Sequence, residues 1–259
     1  MNYDFIKSYE SYLSNQNKSI TTIGIYLRHI KSICNYAILK GIMKQEEYPF
    51  RNYTIPSGRK NKRSLSSSDI KSIIGFQTDI IPERKARDFW VLSYLCNGIN
   101  FNDIARLKYS NMTSDQIKFV RTKTENKTRG DIKEIIIHIL PPVLKIISEW
   151  KNNEISEDNY IFPILREGLS EKEEIKTIAQ FIQTTNKYLK RISEKLNFDI
   201  PLTTYFARHC FATQLKRGGV SIEYISESLG HSTTKVTQNY LGSFTDDTVR
   251  KNAELLLDL

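Results

Sequence analysis

One run of this chain alternates by twos. Gln116-Ile117-Lys118-Phe119-Val120-Arg121-Thr122-Lys123-Thr124 is rich in β-branched residues and would place successive side chains on opposite faces of an extended strand. Turn residues occupy 126–131, Gly130 among them, and a second, more apolar run covers 132–139. The pair predicts one β-hairpin. Elsewhere the apolar residues recur at three- and four-residue spacing, so the chain is expected to be mainly α with a small β-hairpin or sheet.

Residues 3–13 predict a first helix. In the second, Ile23, Leu27, Ile30, Cys34 and Ala37-Ile38 form one apolar stripe, with Arg28, Lys31 and Lys40 mostly off it. Thr21 or Thr22 is the expected N-cap and Gly41 the expected stop, and the two helices are expected to pack together. The composition then breaks. Pro56, Ser57 and Gly58 supply turn chemistry, and Arg59, Lys60, Lys62 and Arg63 place four cations within five residues. Such a segment suits contact with a phosphate backbone as well as it suits a solvated basic loop. Ser66 and Asp69 are spaced as a capping-box variant, so a second domain is expected to begin there. Further helices are predicted over 87–96, 101–108, 142–150, 174–196, 205–216, 221–229 and 233–240, with Asn97-Gly98 as a break. The expected organisation is a helical domain over 1–55, a basic linker over 56–65 and a larger α+β domain over 66–259.

A length of 259 residues accommodates one large core or two smaller ones. The 38 Lys and Arg against 29 Asp and Glu leave a net charge of +9, which puts DNA or RNA first among polyanionic partners. Cys34, Cys96 and Cys210 are odd in number and far apart, so they read as reduced, packed thiols; neither a disulfide framework nor a zinc site is expected, and no metal or cofactor. Residues 1–10 mix charges with apolar side chains and lack the apolar core of a secretory signal. The most apolar stretch, 135–147, is broken by His138, Pro141, Pro142 and Lys145 and is too short to span a bilayer. A soluble, cytoplasmic protein is the expectation.

Towards the C-terminal end stand three polar residues whose combination carries chemistry: Arg208, His231 and Tyr240. A phenolate can attack phosphorus while a cation and an imidazole neutralise charge on the equatorial oxygens. Arg208 lies in Ala207-Arg208-His209-Cys210-Phe211-Ala212-Thr213, and a guanidinium clamps a phosphate through two parallel hydrogen bonds. His209 is read as structural. His231 falls between Gly230, a helix terminator, and Ser232-Thr233, which suit the start of a new helix. Tyr240 follows nine residues later, one turn after Val236, so simple packing of the two competes with a chemical role for that phenol, the one tyrosine of 14 in this context.

This order and spacing resembles the tyrosine recombinase, or phage integrase, family, and within it integrases of Bacteroides-type mobile elements. The resemblance is dense over 203–241, fair around Lys123 and architectural over 1–55. It implies that Arg208 is the second conserved arginine, that the Leu229-Gly230-His231 box supplies a phosphate-contacting histidine, and that Tyr240 is the nucleophile. It makes Lys123 the hairpin lysine that protonates the leaving 5′ oxygen, with Lys127 and Arg129 as substitutes or DNA contacts. It also implies a SAM-like core-binding domain and a catalytic domain that clamp duplex DNA from opposite sides. Two subunits at a time would cut through a 3′-phosphotyrosyl link that needs neither ATP nor metal. Assembly into a dimer or tetramer on DNA, accessory DNA-bending proteins and a nucleoid-associated place in a bacterial cell complete the expectation. The apolar tail at 252–259 would dock on a neighbouring subunit or on its own domain.

Two positions depart from the pattern. Where the family reads Gly-Leu-Arg-x-x-Glu-Leu, this chain has Gly98-Ile99-Asn100-Phe101-Asn102-Asp103-Ile104, so Asn100 replaces an arginine. Tyr205, three residues before Arg208, replaces a histidine, and its phenol can still donate to a phosphate. Loss of a transition-state arginine costs roughly three to five orders of magnitude in other phosphoryl transfers. Arg106 sits well round the helix from Asn100, which leaves Arg84, Arg87 and Arg121 as sources of a substitute. Three other readings compete: a recombinase that binds sites but cuts poorly, a helix-turn-helix regulator built on 221–240, and a type IB topoisomerase.

Overall fold

The computed structural model describes residues 2–58, 65–122, 134–231 and 233–238. The chain divides into two compact units, 1–61 and 62–259.

In the first unit, α1 (Tyr3–Asn15) starts at Asn2, whose side-chain oxygen accepts the Phe5 N–H at 3.0 Å. The second helix, α2 (Ile20–Leu39), is capped by Ser19, whose hydroxyl accepts the Thr22 N–H at 3.1 Å. The cap therefore lies two residues before the expected Thr21: Ser19 has the extended backbone a cap requires, and Thr21 and Thr22 already turn with the helix. Gly41 follows the helix with φ of 69°, as a stop signal should. Ile6, Leu13, Ile23, Leu27 and Cys34 bury the facing stripes, and Phe50 and Tyr53 close the core from the chain beyond α2. The Tyr53 phenol donates to Glu10 at 2.6 Å, and burial followed by that bond pushes its pKa well up.

The second unit comprises α3 (Ser67–Gly75), α4 (Ile81–Leu95), α5 (Phe101–Arg106), β1 (Gln116–Val120), β2 (Glu134–His138), α6 (Pro141–Trp150), α7 (Glu171–Lys195), α8 (Thr204–Arg217), α9 (Ile222–Ser228) and α10 (Thr234–Gln238). The Ser66–Asp69 capping box opens α3, with bonds of 2.8 and 3.1 Å in the two directions. Helix α4 is the hub. Phe89, Trp90, Val91 and Leu92 are buried in succession, a pattern open only to a helix surrounded on several sides, and α3, α6, α7 and α8 all pack against it. It starts six residues before the expected 87, with Pro82 in its first turn. The charged run Glu83-Arg84-Lys85 hid that start, because Glu83 is itself buried against Lys195 of α7, at 2.7 Å.

The hairpin pairs antiparallel, Gln116 opposite His138 and Val120 opposite Glu134. Ile117, Phe119, Ile135 and Ile137 face the core. Strand β1 ends at Val120, not at the expected Thr124. Past it the Thr122 N–H donates to the Asp103 carboxylate of α5 at 3.2 Å, which draws residues 121 and 122 away from the ladder and towards α5. The architecture is mainly helical with one two-stranded antiparallel sheet among the described residues. No described helix is long and apolar enough to cross a membrane.

Candidate active site

Arg208 lies on the second turn of α8. The start of that helix is held by Asn186 of α7, whose side-chain oxygen accepts the Thr204 N–H at 2.8 Å. Arg208 is 3% exposed, and a buried cation needs close acceptors. Its Nη1 donates to the Gly98 carbonyl at 2.8 Å, and Nη2 donates to the Leu229 carbonyl and meets His231 Nε2 at 3.0 Å. A guanidinium has only donors, so Nε2 accepts. The proton of the neutral ring is then on Nδ1, which donates to Thr237 Oγ1 at 2.8 Å. Thr237 is completely buried on α10, so the imidazole is gripped at both nitrogens.

Two glycines make this arrangement sterically accessible. Gly98 has φ of 61°, and a Cβ there would lie 3.0 Å from Arg208 Cα. Gly230 also has φ of 61°, and a Cβ there would lie 2.5 Å from Cδ1 of Ile135 on β2. The Leu229-Gly230-His231 turn thus sits directly against the hairpin. The Ser93 hydroxyl donates to the Ile99 carbonyl at 2.6 Å and fixes the turn before Asn100.

Asn100 occupies the N-cap of α5 but makes no side-chain capping bond. The orientation of its carboxamide follows from its neighbours: with the oxygen turned to Arg121, both ends of the amide meet complementary groups. That oxygen accepts from Arg121 Nε at 3.2 Å and Nη2 at 3.0 Å. Arg121 Nη1 donates to the Gly230 carbonyl at 3.3 Å. Two guanidiniums, Arg208 and Arg121, therefore reach the carbonyls of consecutive residues, Leu229 and Gly230, immediately before His231. The other arginines considered as substitutes for the missing one are engaged elsewhere. Arg84 pairs with Glu149 at 3.0 Å, Arg87 with Asp88 at 2.7 Å and Arg106 with Glu174 at 3.3 Å.

Of the residues singled out in the sequence, the structure brings Asn100, Arg208 and His231 into one locality. Tyr205 is on the first turn of α8, half exposed, with its ring edge-on to His209 at 4.6 Å. Tyr240, Lys123, Lys127, Arg129, Arg59, Lys60, Lys62, Arg63 and the tail at 252–259 lie outside the described residues. Sequence reading missed Asp103 and Thr237, and it left Arg121 as one of three sources. The only sequence signal for Arg121 was its place two residues before Lys123 in the same run. Cys210, two residues after Arg208, is a packing residue; burial pushes its thiol up to about 12, and burial does the same for Cys96.

The second unit is thus mainly helical with one hairpin among the described residues, and an arginine–histidine pair lies between that hairpin and a helix. The phage integrase family model matches residues 63–246, and the phage integrase SAM-like domain model matches residues 1–55. The chain belongs to the phage integrase family. Among its relatives, tyrosine recombinase XerA of Pyrococcus furiosus is 27% identical over 223 residues, covering 86% of this chain and 70% of that protein. Tyrosine recombinase XerD of Rickettsia bellii is 24% identical over 242 residues, covering 92% and 78%. Among solved structures, the integrase of transposon Tn1549 in complex with transposon right end DNA matches 99% of this chain and 86% of its own, with a TM-score of 0.68 at 18% identity. A lambda integrase dimer bound to a COC′ core site matches 93% and 79%, with a TM-score of 0.64 at 13% identity. These two likenesses are likenesses of fold.

Proposed function

We propose that this protein cuts and rejoins duplex DNA at specific sites through a 3′-phosphotyrosyl intermediate on Tyr240. The observation that carries the reading is the Arg208–His231 contact at 3.0 Å, a cation and an imidazole fixed side by side by buried acceptors. Fixed charges of this kind stabilise a phosphorane-like transition state without reorganising as it forms. The Tyr240 phenol releases its proton to water, its oxygen bonds phosphorus, and the bond from phosphorus to the 5′ oxygen breaks. Lys123 supplies the proton that the leaving oxygen takes up. Rejoining is the reverse, with a 5′ hydroxyl of another strand as the attacking group. Residues 1–55 serve as a core-binding domain and 66–259 as the catalytic domain, with the cations at 59–63 on the DNA backbone. Further copies of the chain assemble on the duplex, as the lambda integrase dimer does on its core site.

A duplex suicide substrate carrying the ends of the host element tests this. Wild type incubated without metal should give a covalent protein–DNA band on a denaturing gel, and Tyr240→Phe should give none. Site-specific binding with no band from wild type would support the impaired-recombinase reading, which Asn100 motivates.

A further inference from the structure

We infer that Arg121 is the second phosphate-contacting guanidinium of this site and that Asn100 is its positioning residue. The inference rests on the recombinase reading above and deepens it. The arginine absent from the N-terminus of α5 is supplied by the residue that follows strand β1, and the residue left in its place holds the replacement.

Three observations converge. Asn100 is an N-cap asparagine that gives up its usual capping bond and turns its oxygen to two donors of Arg121, at 3.2 and 3.0 Å. Asp103, one turn along α5, accepts the N–H of Thr122 at 3.2 Å, so the same helix grips the backbone that carries Arg121. Arg121 is 9% exposed and reaches the Gly230 carbonyl at 3.3 Å, beside the Leu229 carbonyl that Arg208 takes. Two cations drawn to neighbouring carbonyls repel one another, and an anion between them relieves that repulsion. The scissile phosphodiester is the anion this site would receive. The neutral carboxamide of Asn100 matters: it accepts from the guanidinium without cancelling its charge, which a carboxylate there would do.

The decisive experiment compares two suicide duplexes, one with an ordinary scissile phosphodiester and one with a methylphosphonate, whose methyl group removes the negative non-bridging oxygen. On the phosphodiester, Arg121→Ala should form the tyrosyl adduct about three orders of magnitude more slowly than wild type, while duplex binding stays close to normal. Arg121→Lys should lie between them, since lysine keeps the charge and loses the fork. Asn100→Ala should slow the adduct about 10- to 100-fold, the effect of one lost buried acceptor. On the methylphosphonate, the deficits of Arg121→Ala and Asn100→Ala relative to wild type should shrink to within about 10-fold, because the charge they serve is gone. A merely structural role would leave equal deficits on both duplexes, and that result overturns the inference. Wild-type speed from Arg121→Ala on the phosphodiester overturns it as well. Should the methylphosphonate prove inert with every protein, the order wild type, Arg121→Lys, Arg121→Ala at equal binding decides the matter. Absence of any adduct from wild type on the phosphodiester is a different result, and it sinks the recombinase reading instead.

Discussion

Gly230 illustrates how strictly single positions are constrained. A methyl group there would sit 2.5 Å from Cδ1 of Ile135, on a residue whose φ is 61°. Gly230→Ala should therefore destabilise the protein by about 1–3 kcal/mol in denaturant titrations. Ile135→Val deletes the clashing atom, so the double variant should recover part of that loss; strictly additive effects would show that the clash is not the cause. Thr237 is constrained by hydrogen bonding instead. With Thr237→Val the His231 Nδ1–H loses its buried acceptor, and adduct formation should fall about 10- to 100-fold, whereas Thr237→Ser should stay near wild type. Equal activity in both variants would show that the ring is oriented by something else.

Between elements, the α4–α7 contact carries a pH signature. Burial by itself raises the pKa of Glu83, but bonds from Lys195 at 2.7 and 2.9 Å and from Thr78 at 2.9 Å outweigh it and hold the carboxyl below its ordinary range. A pKa lower in the folded than in the unfolded state contributes stability that is present above about 4.3 and lost as the pH falls through the lower folded value. Lys195→Met should shift acid unfolding, followed by circular dichroism, to higher pH, and an unchanged midpoint would refute this account. This pair also shows where sequence reading falls short. The stripe of α2 and the capping box of α3 were legible because local spacing encodes them. The start of α4 was not, because its buried glutamate finds its partner 112 residues away. The site divides the same way: Arg208 and His231 lie in compact local motifs, whereas the embrace of Arg121 by Asn100 joins segments with no local signature, and Thr237 looked like an ordinary helix residue.

For the molecule as a whole, the net charge of +9 should make DNA affinity strongly salt-dependent. If Arg59, Lys60, Lys62 and Arg63 each neutralise a phosphate, replacing all four with Gln should reduce the slope of log affinity against log salt by about 3.6, at about 0.9 per contact. A slope that does not change would return those cations to the solvent. The three carbonyls that receive the two guanidiniums have one further consequence. Arg208 reaches back 110 residues to Gly98, and Arg121 reaches forward 109 to Gly230. Contacts of such sequence separation form late in folding, after the long loops between them have closed. A nascent chain still on the ribosome, or a fragment left by a protease, thus carries the side chains of its part without the contacts that bring them together. The neighbourhood of Arg208, Arg121 and His231 therefore takes shape only once both ends of the second unit have come together.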